Sequence, residues 1–110
     1  MTDTYPEIIR QYFSAVDRRD LDALTESFTD DASVTDDGRT YHGRGEIRGW
    51  REATGVAYEY VVEVLDAQRT GDHTYLVDTN VFSSTSGTTI ELKFRFTLQG
   101  RLIKDLQISA

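Results

Sequence analysis

The hydrophobic residues of this chain change their spacing once, and this change limits the possible folds more than any other feature. In the predicted helices before Ala53 they recur every three or four positions, which is the period of amphipathic helices. From Tyr58 onward, β-branched and aromatic residues alternate with polar ones, which is typical of strands. Helices followed by a run of antiparallel strands predict an α+β fold.

Three helices are predicted in the first half of the chain. The first carries one wide apolar stripe, made of Ile8, Ile9, Tyr12, Phe13 and Val16. Asp20 is a natural N-cap for a short second helix, because its carboxylate can accept from the first free backbone N–H groups. The third is expected over Glu46 to Ala53, with Gly55 as its C-terminal stop.

The strands and turns follow from composition and spacing. Asp30-Asp31 is predicted to be a turn, Ser33 to Thr35 a short strand, and Asp36-Asp37-Gly38 a second turn. Gly71-Asp72 and Gln99-Gly100 indicate hairpins between longer strands. Four such strands are predicted: Tyr58 to Arg69, Thr74 to Ser83, Thr89 to Leu98, and Arg101 to Ser109.

Length and charge limit the classes of protein that need to be considered. With 110 residues, the chain is expected to form one domain over residues 1–110. A net charge of −7 argues against a nucleic-acid partner, and the chain has no cysteine for thiol chemistry. No segment approaches the roughly 20 apolar residues of a membrane span, and the N-terminus does not resemble a secretory signal. The expectation is a soluble cytoplasmic protein without a membrane partner.

Several motifs together resemble the nuclear-transport-factor-like superfamily, in particular its SnoaL-like and ketosteroid-isomerase-like enzymes. The resemblance implies a cone-shaped, cystatin-like fold, in which a strongly curved, mostly antiparallel sheet wraps around three helices and leaves a central apolar pocket. It also implies a homodimer formed through the outer surface of the sheet. The matching residues are Tyr12-Phe13, Asp20 to Leu24, Phe28 to Ala32, Gly43 to Trp50, Phe94 to Phe96 and Gly100 to Ile103.

The resemblance assigns catalytic roles to two residues. Tyr12 matches the phenol that donates a hydrogen bond to the substrate oxyanion in the steroid isomerases, and Asp36 matches their catalytic base. Such a pair can remove a proton next to a carbonyl and stabilise the enolate that results. The second oxyanion donor of those enzymes, a protonated aspartic acid, falls on Leu92, which cannot donate. Steroid isomerisation itself is therefore not expected.

Eight further residues are candidates for contact with a ligand, and several have alternative interpretations. The resemblance places polar residues of the second and fourth long strands toward the pocket, whereas the alternation alone also fits a solvated face. Trp50 is either a core residue or a pocket wall. Tyr12 could likewise be a core aromatic, and Asp36 a turn residue. The eight candidates are Trp50, Asp78, Asn80, Phe82, Leu92, Phe94, Asp105 and Gln107.

Two functions fit these residues. The first is a cofactor-independent enzyme that isomerises, cyclises or dehydrates a small apolar carbonyl compound, such as a polyketide-like metabolite. The second is a non-catalytic ligand-binding or dimeric interaction module, which the missing donor at Leu92 favours. No metal site is predicted, because His42 and His73 lack the spacing of a ligand set and are expected at the surface.

Overall fold

A computed structural model describes residues 5–57, 60–84 and 86–110. In this part of the chain there are three helices and six strands, and four of the strands follow the last helix. This confirms the α+β prediction. The elements are α1 (Glu7–Arg18), α2 (Leu21–Glu26), β1 (Phe28–Asp36), β2 (Arg39–His42), α3 (Gly43–Ala57), β3 (Tyr60–Arg69), β4 (Thr74–Ser83), β5 (Thr88–Gln99) and β6 (Leu102–Ser109).

The six strands form one curved, unclosed sheet in the order β2-β1-β6-β5-β4-β3. The pairing of β1 with β6 is parallel, and the other four pairings are antiparallel. The parallel pairing is possible because the chain between β1 and β6 is long enough to return along the sheet. The mostly antiparallel, strongly curved sheet that the resemblance implied is therefore present.

The helices close the concave side of the sheet, and α1 supplies most of the aromatic packing there. Its apolar stripe is buried as the sequence predicted. Phe13 contacts Phe94 with ring centroids 5.2 Å apart, and Tyr12 contacts Phe96 at 5.5 Å, both edge to face. Such aromatic pairs contribute beyond the area that they bury, so they fix α1 across the middle of the sheet.

Asp20 is the N-cap of α2, as predicted. Its Oδ1 accepts a hydrogen bond of 3.0 Å from the backbone N–H of Ala23, which satisfies one of the unpaired donors of the first turn. Just before it, Arg19 adopts a left-handed conformation with φ of 56° and ends α1. The two helices therefore join through a sharp corner that needs no glycine.

Several predicted boundaries are wrong. Helix α3 begins at Gly43 and continues past Gly55, so this glycine does not stop it. Asp30 and Asp31 lie within β1 rather than in a turn, and their carboxylates form surface ion pairs with cations from other elements. Strand β2 was not predicted, and Tyr58 lies outside the described residues.

Two bulges change which side chains face the concave side. In β6, Asp105 pairs with Thr97 and Ile103 pairs with Leu98, so Lys104 is one residue in excess. In β3, Leu65 is in excess in the same way. Because an extra residue shifts the alternation by one, each bulge exchanges the inner and outer faces of its strand.

Among the residues that the structure describes, no helix is long and apolar enough to cross a membrane.

Candidate active site

A cavity of about 320 Å³ lies between α1, α3 and the concave face of the sheet. Ser86, Thr88 and Ile90 line it and are exposed, so its mouth lies at the turn between β4 and β5. The walls are mostly apolar. The lining residues are Tyr12, Phe13, Val16, Asp36, Trp50, Arg51, Val62, Val81, Ser83, Ser86, Thr88, Ile90, Leu92, Phe94 and Ile108.

Tyr12 lies in the middle of α1 and lines this cavity. Its side chain is almost completely buried, because its ring packs edge to face on Phe13, Phe28 and Phe96. These contacts hold the ring in one position, so they also determine where the phenolic hydroxyl lies. A fixed donor of this kind needs no reorganisation when negative charge develops next to it.

Asp36 is the last residue of β1, and its carboxylate faces the cavity. It shares a strand face with the buried Val34, two residues earlier. Asp37 and Gly38 have φ of 54° and 79°, so these two residues form the turn itself. The Asp-Asp-Gly turn is therefore present, and Asp36 is the strand residue before it, available to the cavity.

The indole of Trp50 holds Asp36 in place. Its Nε1 donates a hydrogen bond of 3.0 Å to Asp36 Oδ2. Trp50 is itself fixed by burial in α3 and by Tyr41, whose ring centroid lies 6.1 Å away. One carboxylate oxygen is thus engaged and the carboxylate is oriented in a half-buried site. This geometry suits a positioned base.

Arg51 also lines the cavity, although it was not a predicted site residue. It is 9% exposed, and its guanidinium carbon lies 5.5 Å from the centroid of the Trp50 ring. The spacing of Ile47, Trp50 and Arg51 could have indicated that Arg51 faces the cavity, because residues three and four apart share one helix face.

Of the ten predicted site residues, five line the cavity together: Tyr12, Asp36, Trp50, Leu92 and Phe94. Leu92 faces the interior, so an apolar side chain occupies the place of the second oxyanion donor. Phe94 packs on Phe13 at the foot of the same wall.

The structure corrects the placement of the candidates on β4. Val77, Thr79 and Val81 are the buried face of this strand, and Val81 lines the cavity. Asp78, Asn80 and Phe82 therefore lie on the outer face. Asp78 Oδ1 is bound there by Lys93 Nζ at 3.1 Å, and Phe82 is 44% exposed.

The candidates on β6 are also outside the cavity, because the bulge at Lys104 shifts the alternation. Asp105 Oδ1 accepts a hydrogen bond of 2.8 Å from Ser33 Oγ, on the neighbouring strand. Gln107 is exposed, and its Nε2 donates to Asp105 Oδ2 at 3.3 Å. Ile108 takes the inward position instead.

The sequence did not indicate the remaining lining residues as site residues, for two reasons. The hydroxyls of Ser83, Ser86 and Thr88 lie at the mouth, where a polar sequence resembles an ordinary turn. Val62 and Ile90 are β-branched strand residues, for which alternation indicates two faces without saying which is inner. Within the described part of the chain, no three His, Asp or Glu side chains form a metal-binding group.

Three helices on a curved mixed sheet, with an apolar cavity between them, define a protein of the ketosteroid-isomerase-like α+β class. The family model of the SnoaL-like domain matches residues 9–106 of the sequence. The chain belongs to the SnoaL-like domain family, which confirms the resemblance seen in the sequence.

Solved structures agree with this assignment. A protein from Sinorhizobium meliloti, described as a candidate polyketide cyclase, is 35% identical, with a TM-score of 0.89 and coverage of 96% of this chain and 95% of its own. A protein with a ketosteroid-isomerase-like fold from Catenulispora acidiphila, in complex with trimethylamine, is 24% identical, with a TM-score of 0.83 and coverage of 97% of this chain and 87% of its own.

A third similar structure is SalBIII, described as an epoxide hydrolase/cyclase-like enzyme with a role in pyran ring formation in the polyether salinomycin. It is 24% identical to this chain, with a TM-score of 0.81 and coverage of 93% and 86%. At this identity the likeness supports the fold alone. Among proteins with curated functions, none matches the chain.

Proposed function

We propose that this protein is a cofactor-independent enzyme of the isomerase, cyclase or dehydratase type that acts on a polyketide-like carbonyl compound. Asp36 is the general base and Tyr12 the oxyanion donor. The observation that carries the proposal is the hydrogen bond of 3.0 Å from Trp50 Nε1 to Asp36 Oδ2, which orients a carboxylate in an apolar cavity that Tyr12 also lines.

The chemistry begins with proton transfer. Asp36 takes a proton through Oδ1 from the carbon next to the substrate carbonyl, while Trp50 remains bound to Oδ2. The electron pair of that C–H bond forms the C=C bond of the enolate while the π pair of the carbonyl moves onto its oxygen, and the hydroxyl of Tyr12 donates to the enolate oxygen. The apolar walls exclude water and strengthen this interaction.

The fate of the enolate distinguishes the three reaction types. Return of the proton from Asp36 to a different carbon gives an isomer. Attack of the enolate carbon on a second carbonyl closes a ring, and the alkoxide that forms takes the proton from Asp36. Loss of a β-hydroxyl, which takes the same proton, releases water. A cavity of about 320 Å³ lies at the small end of the range for ligand sites, which suits a small or medium substrate. The 35% identity to a candidate polyketide cyclase supports the substrate class.

Exchange of the substrate α-proton with solvent deuterium tests the proposal, because all three reaction types begin with this step. A panel of apolar ketones in deuterium oxide is incubated with the protein and analysed by mass spectrometry. We expect exchange with the wild type and its loss in Asp36→Asn, which has nearly the same shape and keeps an oxygen for Trp50. Asp37→Asn, one residue along in the exposed turn, is the matched control and should retain exchange. Equal exchange in Asp36→Asn would reject Asp36 as the base.

A non-catalytic ligand-binding module is the second candidate function. Leu92 favours it, because an apolar side chain occupies the inward position at which the steroid isomerases have a second donor. Loss of one such donor typically lowers the rate by about 10²–10³-fold. This function predicts that a ligand raises the melting temperature and is recovered unchanged after incubation, without deuterium.

We also propose that the protein forms a homodimer through the outer face of the sheet. Val61 on β3 and Phe82 on β4 are paired neighbours on this face, and they are 62% and 44% exposed. An exposed apolar pair of this kind is suited to an interface between copies.

A cytoplasmic location remains a prediction from the sequence.

A further inference from the structure

The cavity continues well beyond the catalytic pair, along strand β5. Every second residue of one stretch of this strand lines it, namely Phe94, Leu92, Ile90 and Thr88. Neighbours on one strand face are about 7 Å apart, so these four side chains cover roughly 20 Å of the wall. Their exposure rises toward the mouth, from 5% at Phe94 to 53% at Ile90. The wall therefore runs from a closed end to an open one.

Strand pairing places the base at the closed end. Asp36 is paired with Ile108 on β6, and Ile108 is paired with Phe94 on β5, so the three residues form one row across the sheet. Ile90 lies four positions from Phe94, which is about 13 Å along the strand. A ligand that places its reactive carbon at Asp36 and also reaches the mouth is therefore elongated.

An apolar row crosses the sheet just inside the mouth. Val62 is paired with Val81, Val81 is paired with Ile90, and all three side chains line the cavity. Val81 is buried, whereas Ile90 is a large apolar residue with much of its surface exposed. Contact of such a side chain with water is unfavourable, and a hydrocarbon chain that lies along the row displaces this water. The row is therefore suited to the apolar chain of a ligand.

Hydroxyl groups form the next row toward the solvent. Ser83 is paired with Thr88, two residues from Ile90, and both line the cavity. Thr88 Oγ1 lies 2.6 Å from Ser86 Oγ, and the hydrogen bond between them uses one of the two hydroxyl protons. The other proton and the oxygen lone pairs are suited to a polar group of a ligand. The wall thus changes from apolar to hydroxyl-bearing at a fixed distance from the base.

We propose that the substrates of this site are elongated amphipathic ketones, in which an unbranched hydrocarbon chain joins the reactive carbonyl group to a distal hydroxyl group. The carbonyl lies next to Asp36, the chain lies along the row that includes Ile90, and the distal hydroxyl binds Ser86 and Thr88. Ile90 thereby selects for the length of the chain. The inference refines the proposed function by naming the substrate class, and it depends on that function only for the position of the carbonyl group.

The role of chain length is tested by binding, which requires no turnover. Trp50 is the only tryptophan of the chain and lies in the cavity wall, so its fluorescence reports occupancy of the cavity. The probes are unbranched methyl ketones from hexanone to dodecanone, each one methylene longer than the last. We expect the dissociation constant to fall about fourfold for each methylene that covers the apolar row, because each buried methylene contributes a similar free energy.

Variants of β5 identify the residue that selects for length. Ile90→Ala is expected to abolish most of the gain for the long ketones and to leave the affinity for hexanone unchanged, because hexanone is too short to reach the row. Ile90→Val removes one methyl group and should reduce the gain less. Glu91→Ala is the matched control. Glu91 is the next residue along β5, exposed and paired with Asn80 on the outer face, so its loss should leave the series unchanged.

A terminal hydroxyl group on the ligand tests the outer row. Dodecanone with a terminal hydroxyl is compared with dodecanone itself in the wild type and in Thr88→Val, which keeps the shape of the side chain without its hydroxyl. We expect Thr88→Val to bind the hydroxylated ketone about fivefold more weakly than the wild type does, the usual effect of losing one hydrogen bond, and to bind dodecanone equally well. Thr89→Val, one residue along on the outer face, should bind both ketones as the wild type does.

The proposal is contradicted if affinity does not rise with chain length in the wild type, or if it rises equally in folded Ile90→Ala. If Ile90→Ala does not fold, an unchanged rise in Ile90→Val contradicts the proposal in the same way. Equal binding of the hydroxylated ketone by the wild type and Thr88→Val contradicts the position assigned to the distal hydroxyl. Failure of the proposed catalysis has a different signature, because deuterium exchange is then absent while the dependence on chain length is present.

Discussion

At the scale of the residue, Tyr12 and Asp36 line the same cavity although 24 positions separate them in the chain. Both residues were candidates through the family resemblance, and the apolar stripe of α1 also indicates that Tyr12 is buried. The local pattern left Asp36 as a possible turn residue, whereas the structure places it on the same strand face as Val34. The outer placement of Asp78 and Asn80 could not be predicted. Period two shows that β4 has two faces, but packing against the helices decides which one is inner.

Tyr12→Phe tests the oxyanion donor. The ring contacts of Tyr12 with Phe13 and Phe96 remain possible in phenylalanine, so we expect a folded protein with a similar melting temperature. Deuterium exchange at the substrate α-carbon should fall by about 10²–10³-fold, the usual effect of removing one such donor. The probe is the apolar ketone panel used with Asp36→Asn. A folded Tyr12→Phe that exchanges at the wild-type rate would show that the hydroxyl has no role in catalysis.

At the scale of the element, the start of α2 is predicted well from a local signal, whereas the local signals at Asp30-Asp31 and Gly55 are overridden by tertiary structure. Asp20 begins α2 as expected, because a cap is a contact within four residues. The bulge at Lys104 depends on how β5 pairs with β6, and nothing in the sequence of β6 alone reveals it. This one residue explains why Asp105 and Gln107 were expected inside the cavity and lie outside it.

The cap of α2 predicts a pH dependence of stability. The hydrogen bond from the Ala23 backbone N–H, together with the nearby Arg18, lowers the pKa of Asp20 below its ordinary value. A lowered folded-state pKa stabilises the protein above the unfolded value, and this contribution is lost as the pH falls through the folded-state pKa. Asp20→Asn still caps the helix but does not titrate.

Urea denaturation at a series of pH values measures this effect. We expect the wild type to be more stable than Asp20→Asn near neutral pH, and the difference to shrink as the pH is lowered below about 4. Asp17→Asn is a suitable control, because Asp17 is an exposed residue of α1 outside the cap. If the difference between wild type and Asp20→Asn is the same at all pH values, ionised Asp20 does not contribute through its cap.

At the scale of the whole molecule, the curvature of the sheet separates two surfaces with different tasks. The concave face supplies the cavity walls, and the outer face carries the apolar pair Val61 and Phe82. The general architecture could be predicted from the order of helices and strands and from the family motifs. The mouth of the cavity could not, because it depends on how two exposed residues lie relative to distant helices: Ser86 in the turn and Thr88 at the start of β5.

Phe82→Lys tests the proposed homodimer. A charge at this position would be buried without a partner in an interface between copies, so we expect the dimer to dissociate. Light scattering coupled to size-exclusion chromatography should report a dimer mass for the wild type and a monomer mass for the variant. Ala53→Lys adds the same charge at an exposed site on α3, away from the outer face of the sheet, and should leave the mass unchanged. A monomeric wild type would rule out the dimer.

The bulge in β3 has a consequence for solubility. Because the sheet does not close, β3 is a terminal strand whose outer backbone groups could pair with another chain and begin fibre growth. The excess residue Leu65 interrupts the regular hydrogen-bonding ladder between β3 and β4 and so bends this edge strand, and the flanking acids Glu63 and Asp66 repel a second copy of the same strand. The irregularity therefore protects the protein from edge-to-edge aggregation, while the cavity on the other side of the sheet remains open.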